Sequence, residues 1–110
     1  MSKIEDLPPL VKKQAEHSIA KLLQYPPKGK RLFVSFKGRR VLIQEEVPHP
    51  TKSINVRLPF ALLDFTDSGW LLLFRGSEGG WQSVPEDKPN ANLDDKIALI
   101  RVDPHGVFWR

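Results

Sequence analysis

Basic side chains surround a phenylalanine in the segment "KGKRLFVSFKGRR", residues 28–40. If this segment is an extended strand, its side chains alternate between two faces, and Phe33 lies opposite Leu32 and Val34. Lysine and arginine contact phosphates, and an aromatic ring stacks on a base, which is the chemistry of a groove for single-stranded nucleic acid. The residues that would form such a groove are Arg31, Phe33, Lys37, Arg39 and Arg40.

The positive charge of the chain is concentrated in this region. Residues 28–57 carry a net charge of +6, whereas the other residues together carry −2 and the whole chain carries +4. An anionic partner would therefore be steered to this region alone. The alternative interpretation is a solvated surface whose cations protect a sheet edge from pairing. The modest total charge and the lack of a known nucleic-acid-binding signature favour that alternative.

No other pattern of residues indicates a reaction. The chain has no cysteine, which excludes thiolate catalysis and cysteine-ligated metals. His17, His49 and His105 are too far apart for a local zinc motif, and His105, in a turn beside Asp103, is the best candidate among them. Phosphate-binding loops, dinucleotide-binding loops and the nucleophile elbow are absent. We therefore expect no cofactor and no metal, and the sequence supports no enzymatic activity.

Two pairs of neighbouring carboxylates have structural explanations. Asp94 and Asp95 fall at the start of a predicted helix, where the helix dipole favours negative charge. Glu45 and Glu46 are adjacent in a predicted strand and point to opposite faces, so they do not form a catalytic pair.

The apolar pattern predicts the elements that position these residues. Apolar residues at helical spacing predict a first helix over Pro8–Gln24, which Pro26–Pro27 ends. A β-hairpin about Lys37–Arg39 follows. The segment "PHPTKS" is then expected to be a mobile, unpaired loop, because its two prolines cannot donate hydrogen bonds to a ladder.

The remaining elements are mostly strands. "NVRLPFALLDF", "WLLLFRG" and the short "WQSV" predict three strands, and a second helix begins after Asn92, which can cap it. Helices at the two ends of an antiparallel run predict a two-layer α+β fold with an N-terminal helix, a curved antiparallel sheet of about five strands and a short C-terminal helix. A sheet that closes toward a barrel is the alternative, because both faces of the third and fourth strands are apolar. We expect a single domain over residues 1–110.

Two large aromatic residues stand at the end of the sequence, where chains usually fray. The second helix must end near Val102, because Asp103 precedes a proline. The segment Asp103–Gly106 suits a type I turn that reverses the chain. Phe108 and Trp109 would then pack over the sheet as a C-terminal anchor; the alternative is a surface for a partner.

This ending and three earlier motifs carry a family resemblance. They are Asp103-Pro104-x-x-x-Phe108-Trp109, Leu58-Pro59-x-Ala61, Trp70-x-Leu72-x-Phe74 and Trp81 after the next turn. The chain resembles a family of small bacterial proteins catalogued as domain of unknown function 3024. It departs from the family pattern at Arg110, in the turn "GSEGG" and at Val84. The resemblance implies an α+β fold and implies no activity.

Location and function follow as expectations. Charge interrupts every apolar run near the N-terminus, so we expect no signal peptide. The longest wholly apolar run, "WLLLF", is far shorter than the roughly 20 residues that cross a bilayer. We expect a cytoplasmic protein without a membrane partner, and we interpret it as a small non-catalytic binding or interaction module. The alternatives are weak, non-sequence-specific binding of single-stranded nucleic acid through the basic hairpin, and a homodimer formed through sheet surface that two helices cannot cover.

Overall fold

The structure, a computed structural model, describes residues 7–24 and 31–109. Its elements are α1 (Pro9–Gln24), β1 (Leu32–Lys37), β2 (Arg40–Pro48), β3 (Asn55–Thr66), β4 (Gly69–Arg75), β5 (Trp81–Ser83) and α2 (Leu93–Val102). The strands form one open, curved sheet in the order β1-β2-β3-β4-β5, and every neighbouring pair is antiparallel. The predicted α+β fold is confirmed. The alternative of a sheet closing toward a barrel is wrong.

Both helices pack on the same face of the sheet. On α1 the buried residues Ala15, Ile19 and Leu22 recur at helical spacing, and Ile97 and Ile100 do the same on α2. Facing them is a set of fully buried side chains from the three central strands: Val41, Ile43, Ala61, Leu63 and Leu72. The hydrophobic core therefore lies between the helices and one face of the sheet, and no helix of the described residues covers the other face.

The first helix begins one residue later than expected, at Pro9. Proline is tolerated in the first turn because the N–H groups there have no partner within the helix. Pro8 still contributes its carbonyl oxygen, which accepts a hydrogen bond from the Lys12 N–H at 2.9 Å. Some residues that the sequence analysis names lie outside the described residues: Pro26, Pro27, Lys28, Lys30 and Arg110.

The second helix has the predicted cap. Asn92 Oδ1 accepts a hydrogen bond from the Asp94 N–H at 3.0 Å, and Asp94 and Asp95 lie in the first turn. The helix ends at Val102, and Asp103 follows in the left-handed conformation with φ of 47°. Neither α2 nor any other helix in the described ranges has the length and apolar character needed to cross a membrane.

The basic hairpin has a two-residue turn. Lys37 pairs with Arg40, which leaves Gly38 and Arg39 between the strands. Gly38 has φ of 60°, which suits the first central position of a type II′ turn and is readily adopted only by glycine. The turn fixes the register of β1 on β2, and therefore fixes which side chains of the hairpin share a face.

The loop after β2 is shorter than the sequence predicts. β2 extends to Pro48, which pairs with Asn55 at the start of β3, so the expectation of an entirely unpaired "PHPTKS" segment is wrong at its first residue. A proline is tolerated there because, among the described residues, the ladder between β1 and β2 ends at Glu45, so Pro48 lies on a free edge of the sheet. The ladder continues through the His49 N–H, which donates to Ile54 O at 2.9 Å.

Candidate nucleic-acid interface

The face of the sheet that the helices leave open, which we call the outer face, carries its side chains in rows across the strands. The strand register aligns one row of polar residues, the charged row, made of Lys37, Arg40 and Asp64. The next row along the strands, the leucine row, is made of Leu42, Leu62 and Leu73. Trp81 of β5 pairs with Arg75 and lies beyond the leucine row, away from the charged row.

A groove of about 590 Å³ runs over these rows. Leu42 and Leu62 form its apolar floor, Trp81 borders one side and the charged row borders the other. Leu62 is only 6% exposed although it lies outside the contiguous core cluster beneath the helices, so its neighbours on the outer face bury it. The volume lies in the range of ligand sites. The lining fits a ligand that combines flat apolar groups with negative charge.

The cations of the outer face remain open to solvent although two of them have carboxylate neighbours. Arg31 Nε lies 3.5 Å from Glu46 Oε2, and Arg40 Nε lies 3.8 Å from Asp64 Oδ1, with the arginine side chains 74% and 64% exposed. Exposed pairs of this kind contribute about 0–1 kcal/mol, so a phosphate can displace the carboxylate at little cost. Among the described residues no carboxylate lies within ion-pair distance of Lys37.

The ring of Phe33 is partly covered by arginine. The guanidinium carbon of Arg57 lies 3.6 Å from the ring centroid, and that of Arg31 lies 5.9 Å away. Both contacts are cation–π interactions. A base therefore cannot reach the ring face that Arg57 covers, but the planar guanidinium itself is a surface on which a base can stack.

Arg39 differs from the other predicted residues. Its guanidinium carbon lies 5.0 Å from the ring centroid of Phe65, which packs against the hydrophobic core, and its Nη1 lies 4.0 Å from Asp67 Oδ1. Arg39 borders the groove, but its charge is directed toward the β3–β4 turn. Of the five predicted residues, three border the groove: Lys37, Arg39 and Arg40. Arg31 and Phe33 lie on the same face of the sheet but toward the other end of β1, outside the lining of the groove.

Three residues that the sequence reasoning did not select also lie on the outer face: Arg57, Asp64 and Trp81. They belong to strands that follow the hairpin in sequence and meet it only through the register of the sheet. Period-two alternation along β3 was an available signal for Asp64, but not for Arg57, because the register shift between Ile43 and Gln44 reverses the alternation. It places Leu62 and Asp64 opposite the core residues Ala61 and Leu63.

Among the described residues, the histidines do not assemble a metal site. Within the described ranges no three His, Asp or Glu side chains are close enough to hold a metal ion. His49 Nδ1 accepts hydrogen bonds from the N–H groups of Thr51 and Lys52, at 3.1 and 3.2 Å, and shapes its own loop. The carboxylate of Asp103, two residues before His105, accepts hydrogen bonds from backbone N–H groups of the C-terminal segment.

The end of the chain folds back on the core face. The carboxylate of Asp103 accepts hydrogen bonds from the N–H groups of Val107, Phe108 and Trp109, at 2.8, 3.1 and 3.0 Å. Phe108 is buried, and its ring centroid lies 6.4 Å from that of Phe60. The ring of Trp109 contacts the same phenylalanine in a tilted arrangement, with the ring centroids 4.8 Å apart. Both aromatic residues thus lie on the core side of the sheet and not on the outer face, and their anchoring role stays a prediction.

Comparison with known proteins identifies a family for this chain but no activity. A search of curated proteins and a search of solved structures each found no match. One family model matches residues 4–110, which include the basic hairpin, the whole sheet and the C-terminal aromatic residues. The chain therefore belongs to the family described as domain of unknown function (DUF3024).

Proposed function

We propose that this protein is a non-catalytic binding module of the bacterial cytoplasm that holds single-stranded nucleic acid on the outer face of its sheet. The observation that carries the proposal is the groove, in which a leucine floor lies between Trp81 and the cations Lys37 and Arg40. The absence of cysteine supports a reducing compartment.

The chemistry of the groove matches the two parts of a nucleotide. Lys37 and Arg40 supply charge for the phosphates, and Trp81 supplies a ring on which a base can stack. Bases of a single strand are free to stack, whereas those of a duplex are already stacked on one another. Cations therefore position the backbone and the aromatic ring selects unpaired strands.

A homodimer through the outer face is the second candidate, because the leucine row leaves apolar surface for a second copy to cover. A two-fold interface would place the same patch on both subunits. Among the described residues, each copy would bring five outer-face cations against those of the other, namely Arg31, Lys37, Arg40, Arg57 and Arg75, with the carboxylates of Glu46 and Asp64 to offset them. Repulsion between like charges makes nucleic acid the better partner.

The test is a salt titration of binding to labelled single-stranded DNA and RNA of about ten to fifteen nucleotides, a length suited to one small domain. The logarithm of the affinity should fall linearly with the logarithm of the salt concentration, with a slope of about −0.7 per phosphate contacted. The double variant Lys37→Glu/Arg40→Glu should abolish binding.

The matched control is Lys13→Glu/Lys88→Glu, which reverses two exposed charges away from the outer face. This variant should bind almost as well as the natural chain at the same salt concentration. Binding that survives Lys37→Glu/Arg40→Glu would refute the proposal. A dimer mass in light scattering, without any affinity for nucleic acid, would support the second candidate instead.

A further inference from the structure

One carboxylate stands among the cations of the groove. Asp64 lies beside Arg40 in the charged row, and its side chain is 27% exposed. Its nearest charged neighbour among the described residues, Arg40 Nε, is 3.8 Å away, which is beyond hydrogen-bond distance. No described residue donates a hydrogen bond to this carboxylate. A carboxylate repels phosphate, so its place in the groove calls for a different partner.

We infer that Asp64 makes the groove selective for guanine within a single strand. An ionised carboxylate only accepts hydrogen bonds, and it has two oxygens with which to accept them. Guanine presents two neighbouring donors, N1–H and the N2 amino group, on the edge that single-strand-binding proteins read. This inference rests on the proposed function, because it assigns a base preference to the same groove.

The other bases lack this pair of donors. Adenine and cytosine each present one amino group beside a ring nitrogen that accepts, and this nitrogen would face a carboxylate oxygen. Uracil and thymine present one N–H between two carbonyl oxygens, which the carboxylate would also repel. Only guanine satisfies both oxygens of Asp64 without placing an acceptor against an acceptor.

The neighbours of Asp64 complete the match. Arg40, next in the charged row, has donors and no acceptor, so it can donate to O6, which follows N1–H on the guanine edge. Leu62, adjacent to Asp64 on the other side along β3, provides apolar surface for the base. Trp81, beyond the leucine row, is then free to stack the neighbouring base of the same strand.

The experiment compares uridine-rich strands of about ten nucleotides that carry one central guanine, inosine, adenine or cytosine, a length that one domain covers. Inosine keeps O6 and N1–H but lacks the amino group. The guanine strand should bind about tenfold tighter than the adenine and cytosine strands, the scale of one bidentate contact to a base. The inosine strand should lose most of that advantage. GMP alone should bind far more weakly, because it lacks the neighbouring phosphates.

The variant Asp64→Asn should lose the guanine preference, because its amide replaces one acceptor with a donor and this pair suits adenine or cytosine better than guanine. Removal of the negative charge should raise the affinity for the adenine and cytosine strands, because the carboxylate no longer repels the phosphates. A urea midpoint of unfolding like that of the natural chain shows that the variant is folded. The matched control is Asp67→Asn, which alters a carboxylate at the same end of the sheet that is fully exposed and outside the groove.

The outcomes separate this inference from the proposed function. Equal affinity of the natural chain for all four strands, with binding retained, overturns the inference and leaves the proposed function intact. A guanine preference that persists in Asp64→Asn also overturns it. If no strand binds in a salt-dependent way, the proposed function itself fails. If GMP binds as tightly as the guanine strand, the ligand is a single nucleotide and not a strand, and the proposed function is overturned.

Discussion

Lys96 Nζ lies 2.6 Å from Asp87 Oδ1, and both side chains are withdrawn from solvent, with 2% and 8% of their surface exposed. The same ammonium group donates a second hydrogen bond to Lys88 O at 2.6 Å. Lys96 lies on α2 and its two acceptors lie in the connection between β5 and α2. The lysine therefore fixes that connection against the helix.

We expect Lys96→Met to lower the free energy of unfolding by about 3–5 kcal/mol, because removal of one partner leaves the other charge buried. Urea denaturation measures the change. Lys88→Met is the control, since its side chain is exposed and only its carbonyl takes part. The double variant Lys96→Met/Asp87→Leu should recover most of the loss, because no charge is then left unpaired. Equal midpoints for Lys96→Met and Lys88→Met would contradict this account.

Lys96 also marks a limit of the sequence reasoning. Leu93, Lys96, Ile97 and Ile100 share the i, i+3, i+4, i+7 spacing of a buried helix face. The pattern therefore places Lys96 on the buried face of the helix. A lysine is ordinarily solvated, however, and the burial of Lys96 depends on a partner nine residues away. The order of elements could be predicted because it depends on local periodicity. The partner of a buried charge could not.

The outer face illustrates the same limit. Alternation within the hairpin predicted that Phe33 lies opposite the core, and the register confirms that it pairs with Gln44 on that face. The position of Arg57 over the Phe33 ring depends on β3 pairing with β2, so no local pattern could indicate it. Likewise, the direction of Arg39 toward Phe65 requires the β3–β4 turn to lie beside the hairpin.

The turn between β3 and β4 should not tolerate a side chain at Gly69. Its φ is 116°, and an added Cβ would lie 2.6 Å from the carbonyl carbon of Asn90 and 2.8 Å from the nitrogen of Ala91. Backbone atoms cannot move aside as a flexible side chain can. Strain of this kind costs about 1–3 kcal/mol, so Gly69→Ala should lower the urea midpoint of unfolding.

Gly80→Ala is the matched control for that substitution. An added Cβ at Gly80 meets no atom within 4 Å, and alanine reduces the entropy of the unfolded chain. We therefore expect Gly80→Ala to leave stability unchanged or to raise it slightly. If the two alanine variants unfold at the same urea concentration, the close approach at Gly69 is not as the structure describes.

The loop after β2 should owe its shape to His49. The N–H groups of Thr51 and Lys52 both donate to its Nδ1, whereas the sequence predicts a mobile segment. His49→Ala should speed amide hydrogen exchange at both positions and change the free energy of unfolding by less than about 0.5 kcal/mol, as is usual for surface substitutions. Amides of Val47 and Val56, which pair in the adjoining ladder, serve as internal controls. Unchanged exchange at Thr51 and Lys52 would show that the histidine does not hold the loop.

The C-terminal segment provides the last prediction. Trp109 Nε1 donates to Ile100 O at 2.6 Å, and Phe108 meets Phe60 and Phe74 edge to face, at 6.4 and 6.5 Å. If these contacts anchor the chain, deletion of residues 107–110 should lower the free energy of unfolding by about 3–5 kcal/mol, the scale of removing one large buried aromatic side chain. That loss is a large fraction of the roughly 5–15 kcal/mol that stabilises a typical domain.

Asp103→Ala tests the hydrogen bonds that hold the C-terminal segment separately from the burial of its aromatic rings. It keeps Phe108 and Trp109 but removes the carboxylate that accepts three backbone N–H groups, so we expect a smaller loss, about 1–3 kcal/mol. Thermal melts of both variants, with light scattering to record the oligomeric state, measure these effects.

If the aromatic residues served a partner instead, the truncated chain would melt where the full chain does and would lose self-association or ligand binding. Because Phe108 contacts the core on the face opposite the groove, truncation should alter nucleic-acid affinity only where it unfolds the sheet.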